Sequence, residues 1–325
     1  MTRRRALAAI LVALVSALFF TFTYVLNRVA ATSGGHWAWT AALRYLITLP
    51  LLAAVLPFAG GLGALPRALV RHAGVWLLWS LVGFGVFCAC LTYAAASGPS
   101  WLVAGSFQVT VIAGMLMSPL IYDDARRRIP LPAFAAGLVV VAGVLLLQLA
   151  HADGRLDRAG WIALGCVVVS AFAYPLGNRM ILLHLERAGT TLGTLQRVFG
   201  MTVMSLPAWL ALAVWGWQQA GPPSATQTLS AAGVAVTSGV IATVLFFAAT
   251  EQVRTDPTAL AAVEAMQATE LLFATLLGVL FLGEAWPSGA ALGGALLIVA
   301  GIVGFCLISG RQASVPGAAG PPPEC

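Results

Sequence analysis

No lysine occurs among the 325 residues, and all seventeen basic side chains are arginine. That absence excludes Schiff-base and lysine-nucleophile chemistry. It also excludes a Walker phosphate loop, whose motif ends on Gly-Lys-Ser/Thr, and with it ATP hydrolysis by this chain. Charged residues are only 9% of the sequence, against about 25% in soluble domains. No Asp or Glu precedes Asp123. The five cysteines (Cys88, Cys90, Cys166, Cys306 and Cys325) form no C-x-x-C, and the histidines His36, His72, His151 and His184 are scattered in connections and helix ends. A disulfide framework, a metal site or a clustered nucleophile is therefore not expected, and no cofactor is implied. Four of the five thiols fall in apolar runs and read as small apolar fillers.

What the sequence has is hydrophobicity: 60% apolar residues and a mean hydropathy of +0.93. Such a chain is neither disordered nor a nucleic-acid reader, both of which need a solvated polar surface. Apolar runs predict membrane helices at 6–30, 37–58, 73–96, 101–122, 132–150, 161–183, 192–217, 229–253, 259–281 and 288–309. Breakers separate them, among them Gly34-Gly35, Gly98-Pro99, Asp153-Gly154, Gly221-Pro222-Pro223 and Asp256-Pro257. The first run is too long for a signal-peptide core and reads as a retained helix.

Arginine placement sets the expected orientation. Arg3, Arg4, Arg5, Arg67, Arg71, Arg126, Arg127, Arg128, Arg187, Arg254 and Arg311 fall on one side, and Arg155 and Arg158 on the other. The positive-inside rule then puts both termini in the cytoplasm, with a disordered tail at 311–325. Trp37, Trp39, Trp101, Trp161, Trp215 and Trp217 gather at the outer boundary, as an aromatic belt does.

The chain also repeats itself. Residues 137–144 (GLVVVAGV) echo 295–302 (ALLIVAGI), Tyr24 to Arg28 echo Tyr174 to Arg179, Leu43-Arg44 echo Gln196-Arg197, and Tyr93-Ala94-Ala95 echo Phe247-Ala248-Ala249. The pattern predicts an all-α membrane protein of ten transmembrane helices, built as two five-helix copies at 1–150 and 151–310. An odd count makes the second copy enter from the opposite side, so the copies are inverted, as in alternating-access carriers. Gly289 and Gly293, as G-x-x-x-G, and Ala136 with Gly143 are candidates for close helix packing.

Charges within the spans mark the candidate site, because each costs roughly 2.5–3.5 kcal/mol in lipid. Arg44 and Arg197 lie at mirrored depths of about 10 and 8 Å from opposite faces, reckoned from the helical rise. In the ninth run, Glu264, Gln267 and Glu270 recur every three residues along one face. Glu264 matches Arg197 in depth and reads as its ion-pair partner; Glu270 lies near the centre and reads as a proton or cation site or as a hydrogen-bonded neutral acid. Gln108 in the fourth run faces Gln267 across the seam. Arg28 and Arg179, with Asn27 and Asn178 beside them, read as interfacial snorkels or as gates. Pro175 and Gly177 predict a kink in the sixth helix. Thr40, Arg44 and Thr48 form one polar stripe, and Thr194, Arg197, Met201 and Ser205 another.

Leu282-Gly283-Glu284 closing the ninth run resembles the drug/metabolite transporter superfamily with EamA-like repeats. Two longer stretches resemble its putative multidrug resistance efflux transporter family: 89–130, with Tyr93-Ala94-Ala95-Ala96, 104–108 (AGSFQ), 117–120 (MSPL) and 126–130 (RRRIP), and 239–284, with 241–247 (IATVLFF) and 260–264 (LAAVE). The resemblance covers about 6–309. It implies a bacterial inner-membrane carrier, monomeric or dimeric, with a cavity bordered by the fourth and ninth helices. The acid that small multidrug carriers hold in their first helix is absent, so coupling through that position does not carry over. The expectation is a secondary exporter of small organic solutes, driven by protons, with no nucleic-acid partner. A carrier of anionic metabolites or amino acids is the alternative, since four membrane arginines exceed two glutamates; a scramblase or an intramembrane enzyme is the more distant one.

Overall fold

A computed structural model describes residues 3–313 apart from 97, 125, 126, 128, 130, 152–156, 254–262, 264 and 265. Among the described residues every regular element is helical. Helix α1 (Arg3–Thr32) and α2 (Trp37–Val55) are joined by a turn in which Gly34 has φ +78°, a conformation glycine adopts without penalty. A short α3 (Leu65–Arg71) precedes a composite helix of α4 (Ala73–Ser80), a π-helical stretch (Leu81–Val86) and α5 (Phe87–Ala94). Next come α6 (Ser100–Phe107) and α7 (Thr110–Ile121), interrupted at Gln108 and Val109, and then α8 (Leu131–His151).

The second half begins with α9 (Arg158–Arg187), whose N-cap Asp157 accepts from the Gly160 amide at 2.7 Å. Helices α10 (Thr194–Met204) and α11 (Leu206–Ala220) meet at Ser205 with a 46° bend. Helix α12 (Ala225–Val234), a π-helical stretch (Ala235–Ala242) and α13 (Thr243–Val253) form another composite. A 3₁₀ turn (Met266–Ala268) leads into α14 (Thr269–Leu282), and α15 (Gly289–Ala313) follows.

Seven of these stretches are long and apolar enough to cross a membrane: Ala6–Thr32, Trp37–Ala59, Ala73–Ala94, Ser100–Ile121, Leu131–His151, Arg158–Arg187 and Ala225–Thr250. The bent pair α10–α11 makes an eighth if it counts as one span, and two shorter apolar stretches, Thr269–Leu282 and Gly289–Phe305, correspond to the ninth and tenth expected spans. The protein is therefore an all-helical, multi-pass membrane protein.

Several expectations of continuous helix are corrected. The ninth run changes from 3₁₀ to α at Thr269, so Gln267 and Glu270 do not share one regular helical face. The fourth and seventh runs are each interrupted, while the sixth stays one thirty-residue helix through Pro175 and Gly177. Helix α15 continues to Ala313, past the start of the expected tail.

Helices α8 and α15 share the most extensive contact, and its glycines show why. A Cβ on Gly143 would lie 2.7 Å from the Gly294 carbonyl oxygen, and one on Gly301 would lie 3.0 Å from the Ala136 oxygen. The partner number falls as the residue number rises, so the two helices are antiparallel. The expected G-x-x-x-G pair is not this contact: Gly289 sits at the helix start with φ +53°, and the nearest neighbour of a Cβ on Gly293 is Leu146 at 3.7 Å. Gly294, one position along, and Gly301, seven further on, let the backbones approach. Elsewhere α1 packs against α12, α13 and α14, and α9 against α4, α5 and α7. At the crossing of α9 with the first π-helical stretch, a Cβ on Gly177 would collide with the backbone of Gly83.

Candidate functional site

Glu270 begins the first turn of α14 and is 7% exposed. Its carboxylate Oε2 accepts from the Tyr24 hydroxyl of α1 at 3.2 Å, and its backbone carbonyl lies 3.5 Å from Thr21 Oγ1 of the same helix. Among the described residues no arginine lies within ion-pair distance of it. The sequence left open whether Glu270 is isolated from cations, and in the structure the group that meets it is a neutral phenol.

Arg44 of α2 is 8% exposed. Its Nη2 donates to Ser238 Oγ at 3.3 Å, and its Cζ lies 5.7 Å from the Tyr45 ring centre. Nη1 is buried without a hydrogen-bond partner. The polar stripe on α2 faces the α12 composite: Thr40 Oγ1 accepts from Gln227 Nε2 at 2.9 Å, Arg44 reaches Ser238, and a Cβ on Gly239 would lie 2.9 Å from Thr48 Oγ1. Arg197 of α10 is half-buried, and its Nε is likewise without a partner. Its expected partner Glu264 lies outside the described residues.

One tyrosine draws these groups together. Tyr174 of α9 packs on the rings of Phe87 and Phe107, at 4.9 and 6.5 Å between centres. Arg197, Glu270 and Arg44, from three different helices, all act electrostatically on it. Glu270 and Arg44 act on Tyr24 as well. Tyr174 is nonetheless 42% exposed. Neither tyrosine stands out by composition; the available signal was that they occupy equivalent places in the repeated Tyr-to-Arg segments.

Gln108 sits at the break between α6 and α7, is buried, and turns back on the Ala104 carbonyl at 3.4 Å. Gln267 lies in the 3₁₀ turn with its Nε2 buried and unpartnered. The two glutamines thus each occupy a helix break without bonding each other.

The flanking residues are tied inward. Arg28 Nη1 donates to the carbonyls of Ala95 and Ala96 at 3.2 and 3.1 Å, and its Nε lies 4.0 Å from Glu284 Oε1. Glu284 also accepts from the Ser100 amide at 2.7 Å and from its hydroxyl at 2.8 Å. This cluster binds the ends of α1, α5 and α14 to the start of α6, and Gly283, at φ +63°, makes the turn that aims Glu284 at it. Arg179 donates to the Gly114 carbonyl and to Ser118 Oγ in α7. Both arginines therefore tie helices to one another. Asn27 is 3% exposed with Oδ1 unpartnered, whereas Asn178 donates to its own helix at Tyr174 O, 2.8 Å away.

Two surface pockets lie where chain connections meet, one of about 420 Å³ at Tyr122, Asp123 and Arg187, and one of about 510 Å³ between Arg67, Arg71, His72 and Thr190. Among the described residues no group of three or more His, Cys, Asp or Glu could hold a metal ion.

Comparison with known proteins gives a consistent picture. The family model described as "EmrE: Putative multidrug resistance efflux transporter" matches residues 7–311. The chain is 42% identical over 304 residues to "Uncharacterized protein YjlA" of Bacillus subtilis (strain 168), covering 91% of this chain and 93% of that protein. It is 40% identical over 263 residues to an "Uncharacterized 42.1 kDa protein in intracellular alkaline protease 3'region" of Shouchella clausii, covering 79% of this chain and 68% of that one. A solved crystal structure at 17% identity superposes with a TM-score of 0.62 over 94% of this chain and 99% of its own, a likeness of fold.

Proposed function

The chain belongs to the putative multidrug resistance efflux transporter family, and on that premise we propose that it is a secondary transporter, exporting small organic solutes by alternating access and exchanging them for protons. It is not an enzyme in this reading, and it sits in a bacterial inner membrane with both termini in the cytoplasm.

The proposed architecture is ten spans in two inverted halves, 1–150 and 151–310, and three features support it. Shifting Ala136 and Gly143 by the 158-residue repeat gives Gly294 and Gly301, so the repeat exchanges the two backbone contacts between α8 and α15. The π-helical stretches start at Leu81 and Ala235, 154 residues apart. The breaks at Gln108 and at Met266–Ala268 also correspond. Interrupted helices at a repeat interface are where carriers of this architecture place cargo and coupling ions, and π-helical segments frequently mark functional positions.

The observation that carries the functional reading is the Glu270 carboxyl, buried between α1 and α14 with a tyrosine hydroxyl and, among the described residues, no arginine within ion-pair distance. An acid so placed can bind and release a proton without dismantling a structural ion pair. The exposed part of Tyr174, amid Glu270, Arg44 and Arg197, is read as the wall of the transport space, with Gln267 and Gln108 at its rim. Arg28 with Glu284 would close one face, and Arg179 would close the other.

Inside-out vesicles test the proposal. A panel of radiolabelled organic solutes should include members taken up under an imposed proton gradient, and Glu270→Gln should abolish that uptake while the protein still inserts and folds. Unchanged uptake by Glu270→Gln removes the proton role, and no gradient-driven uptake of any solute contradicts the carrier reading.

A further inference from the structure

Arg44 is a buried charge with no ion-pair partner among the described residues. The residue is more than nine-tenths buried, its guanidinium meets a hydroxyl and an aromatic face, and Nη1 has no hydrogen-bond acceptor. Among the described residues no carboxylate lies within ion-pair distance of it. An unpaired buried cation costs several kcal/mol, a cost that a merely structural residue would avoid by being apolar. Arg197 adds a second buried and unpartnered donor, Nε, and both arginines act on Tyr174, whose exposed surface offers a way in. Gln267 Nε2 adds a third such donor. All three orphan atoms are hydrogen-bond donors, and an arginine fork is suited to a planar or tetrahedral oxyanion.

We propose that the cargo carries a carboxylate or phosphate group, received by Arg44 with Arg197 beside it. This rests on the carrier reading and adds the chemistry of the cargo. It runs against the lipophilic cations that a multidrug carrier suggests, because a cation would have to approach two guanidiniums. Glu270, which forms no ion pair with either arginine, is the proton-exchanging group beside this site.

The test is thermal melting of the purified full chain in detergent, followed by the fluorescence of its ten tryptophans. The probes are benzoate, indole-3-acetate, phenyl phosphate and inorganic phosphate, against tetraphenylphosphonium and ethidium, all at constant ionic strength. The expected result is that at least one organic anion raises the midpoint. Its apparent affinity should fall at least tenfold in Arg44→Gln, recover partly in Arg44→Lys, and stay unchanged in Arg67→Gln, which alters an exposed arginine. Inorganic phosphate acting as strongly as the organic anions would point to free phosphate as the ligand; a weaker effect would point to an organic cargo.

A second readout needs no ligand. Ligand-free Arg44→Gln should melt above the parent chain, by ~2 °C, because an uncompensated buried charge is removed. Stabilisation by the cations alone, anion binding that Arg44→Gln leaves intact, or no response to any anion overturns the proposal, as does a lower ligand-free midpoint for Arg44→Gln. If cations alone stabilise and vesicle uptake still requires Glu270, the anion site fails and the carrier reading stands. If anions bind through Arg44 but no vesicle transport occurs, the carrier reading fails instead.

Discussion

The Tyr24 hydroxyl donates to Glu270 Oε2 across 3.2 Å, joining α1 of the first half to α14 of the second at a buried point. A phenol can accompany the carboxyl in either protonation state, since it serves as donor to the anion and tolerates the acid. Tyr24→Phe removes this one bond and little volume. Initial uptake rates under a proton gradient should fall about tenfold, the equivalent of one hydrogen bond to a charged group at ~1.4 kcal/mol, while Glu270→Gln has none left to measure. Wild-type rates in Tyr24→Phe would mean that the bond is incidental to proton exchange.

The α8–α15 contact separates glycines that matter from one that does not. Gly143→Leu and Gly294→Leu force side chains into opposing backbone, and overpacking of this kind costs ~1–3 kcal/mol. Gly293→Leu meets only Leu146 at 3.7 Å. Thermal melting in detergent should show a clear loss for the first two and little change for the third. Equal losses at all three would contradict the packing described.

These glycines also show what the sequence could and could not convey. Apolar runs and breakers were enough for an all-helical membrane protein, because backbone groups in lipid must bond within helices. The repeat segments, too, were visible as offset matches. Which glycine of the cluster at 289, 293, 294 and 301 meets α8 depends on helix rotation, and periodicity in an almost uniformly apolar helix says nothing about rotation. The same limit hid the breaks: nothing in Gln108-Val109 or Met266-Gln267-Ala268 is a helix breaker by composition. Arg44, Arg197, Gln267 and Glu270 were found because any polar group in lipid stands out. Tyr24 and Tyr174 stood out only as the heads of the repeated Tyr-to-Arg segments, and Ser238 not at all, being unexceptional at membrane depth. Arg28 and Arg179 were legible as charges near helix ends, but their ties depend on the carbonyls where α5 ends and on the Gly114 carbonyl and Ser118 hydroxyl of α7.

The Cys90 and Cys166 thiols, on α5 and α9, lie close enough to act on each other. Copper-phenanthroline oxidation should convert the pair to an intrachain disulfide, each thiol losing one hydrogen to the oxidant. Mass spectrometry of the digest should recover the 90–166 cross-link in the parent chain and lose it in Cys90→Ser. Failure to cross-link would mean that α5 and α9 meet at a different register.

Glu284 bonds the amide and hydroxyl of Ser100 and lies beside Arg28. Glu284→Ala leaves the first turn of α6 without its acceptor, at a cost of ~1–3 kcal/mol. Hydrogen exchange at the Ser100 amide should accelerate and the melting midpoint should fall, with Glu284→Gln intermediate because one amide oxygen still accepts. An unaltered exchange rate in Glu284→Ala would show that another group holds the start of α6.

Alternating access is tested most directly by distances at the two faces of the bundle. Spin labels at Arg67 and Thr191 span the face where α3 meets the end of α9, and labels at Ala96 and Ala285 span the face tied by Glu284, each pair in a background without native cysteines. Double electron–electron resonance in liposomes across a pH step is predicted to show one distance widening as the other narrows, with Glu270→Gln fixing both. Both distances staying constant in the parent chain, or both changing together, would contradict the account.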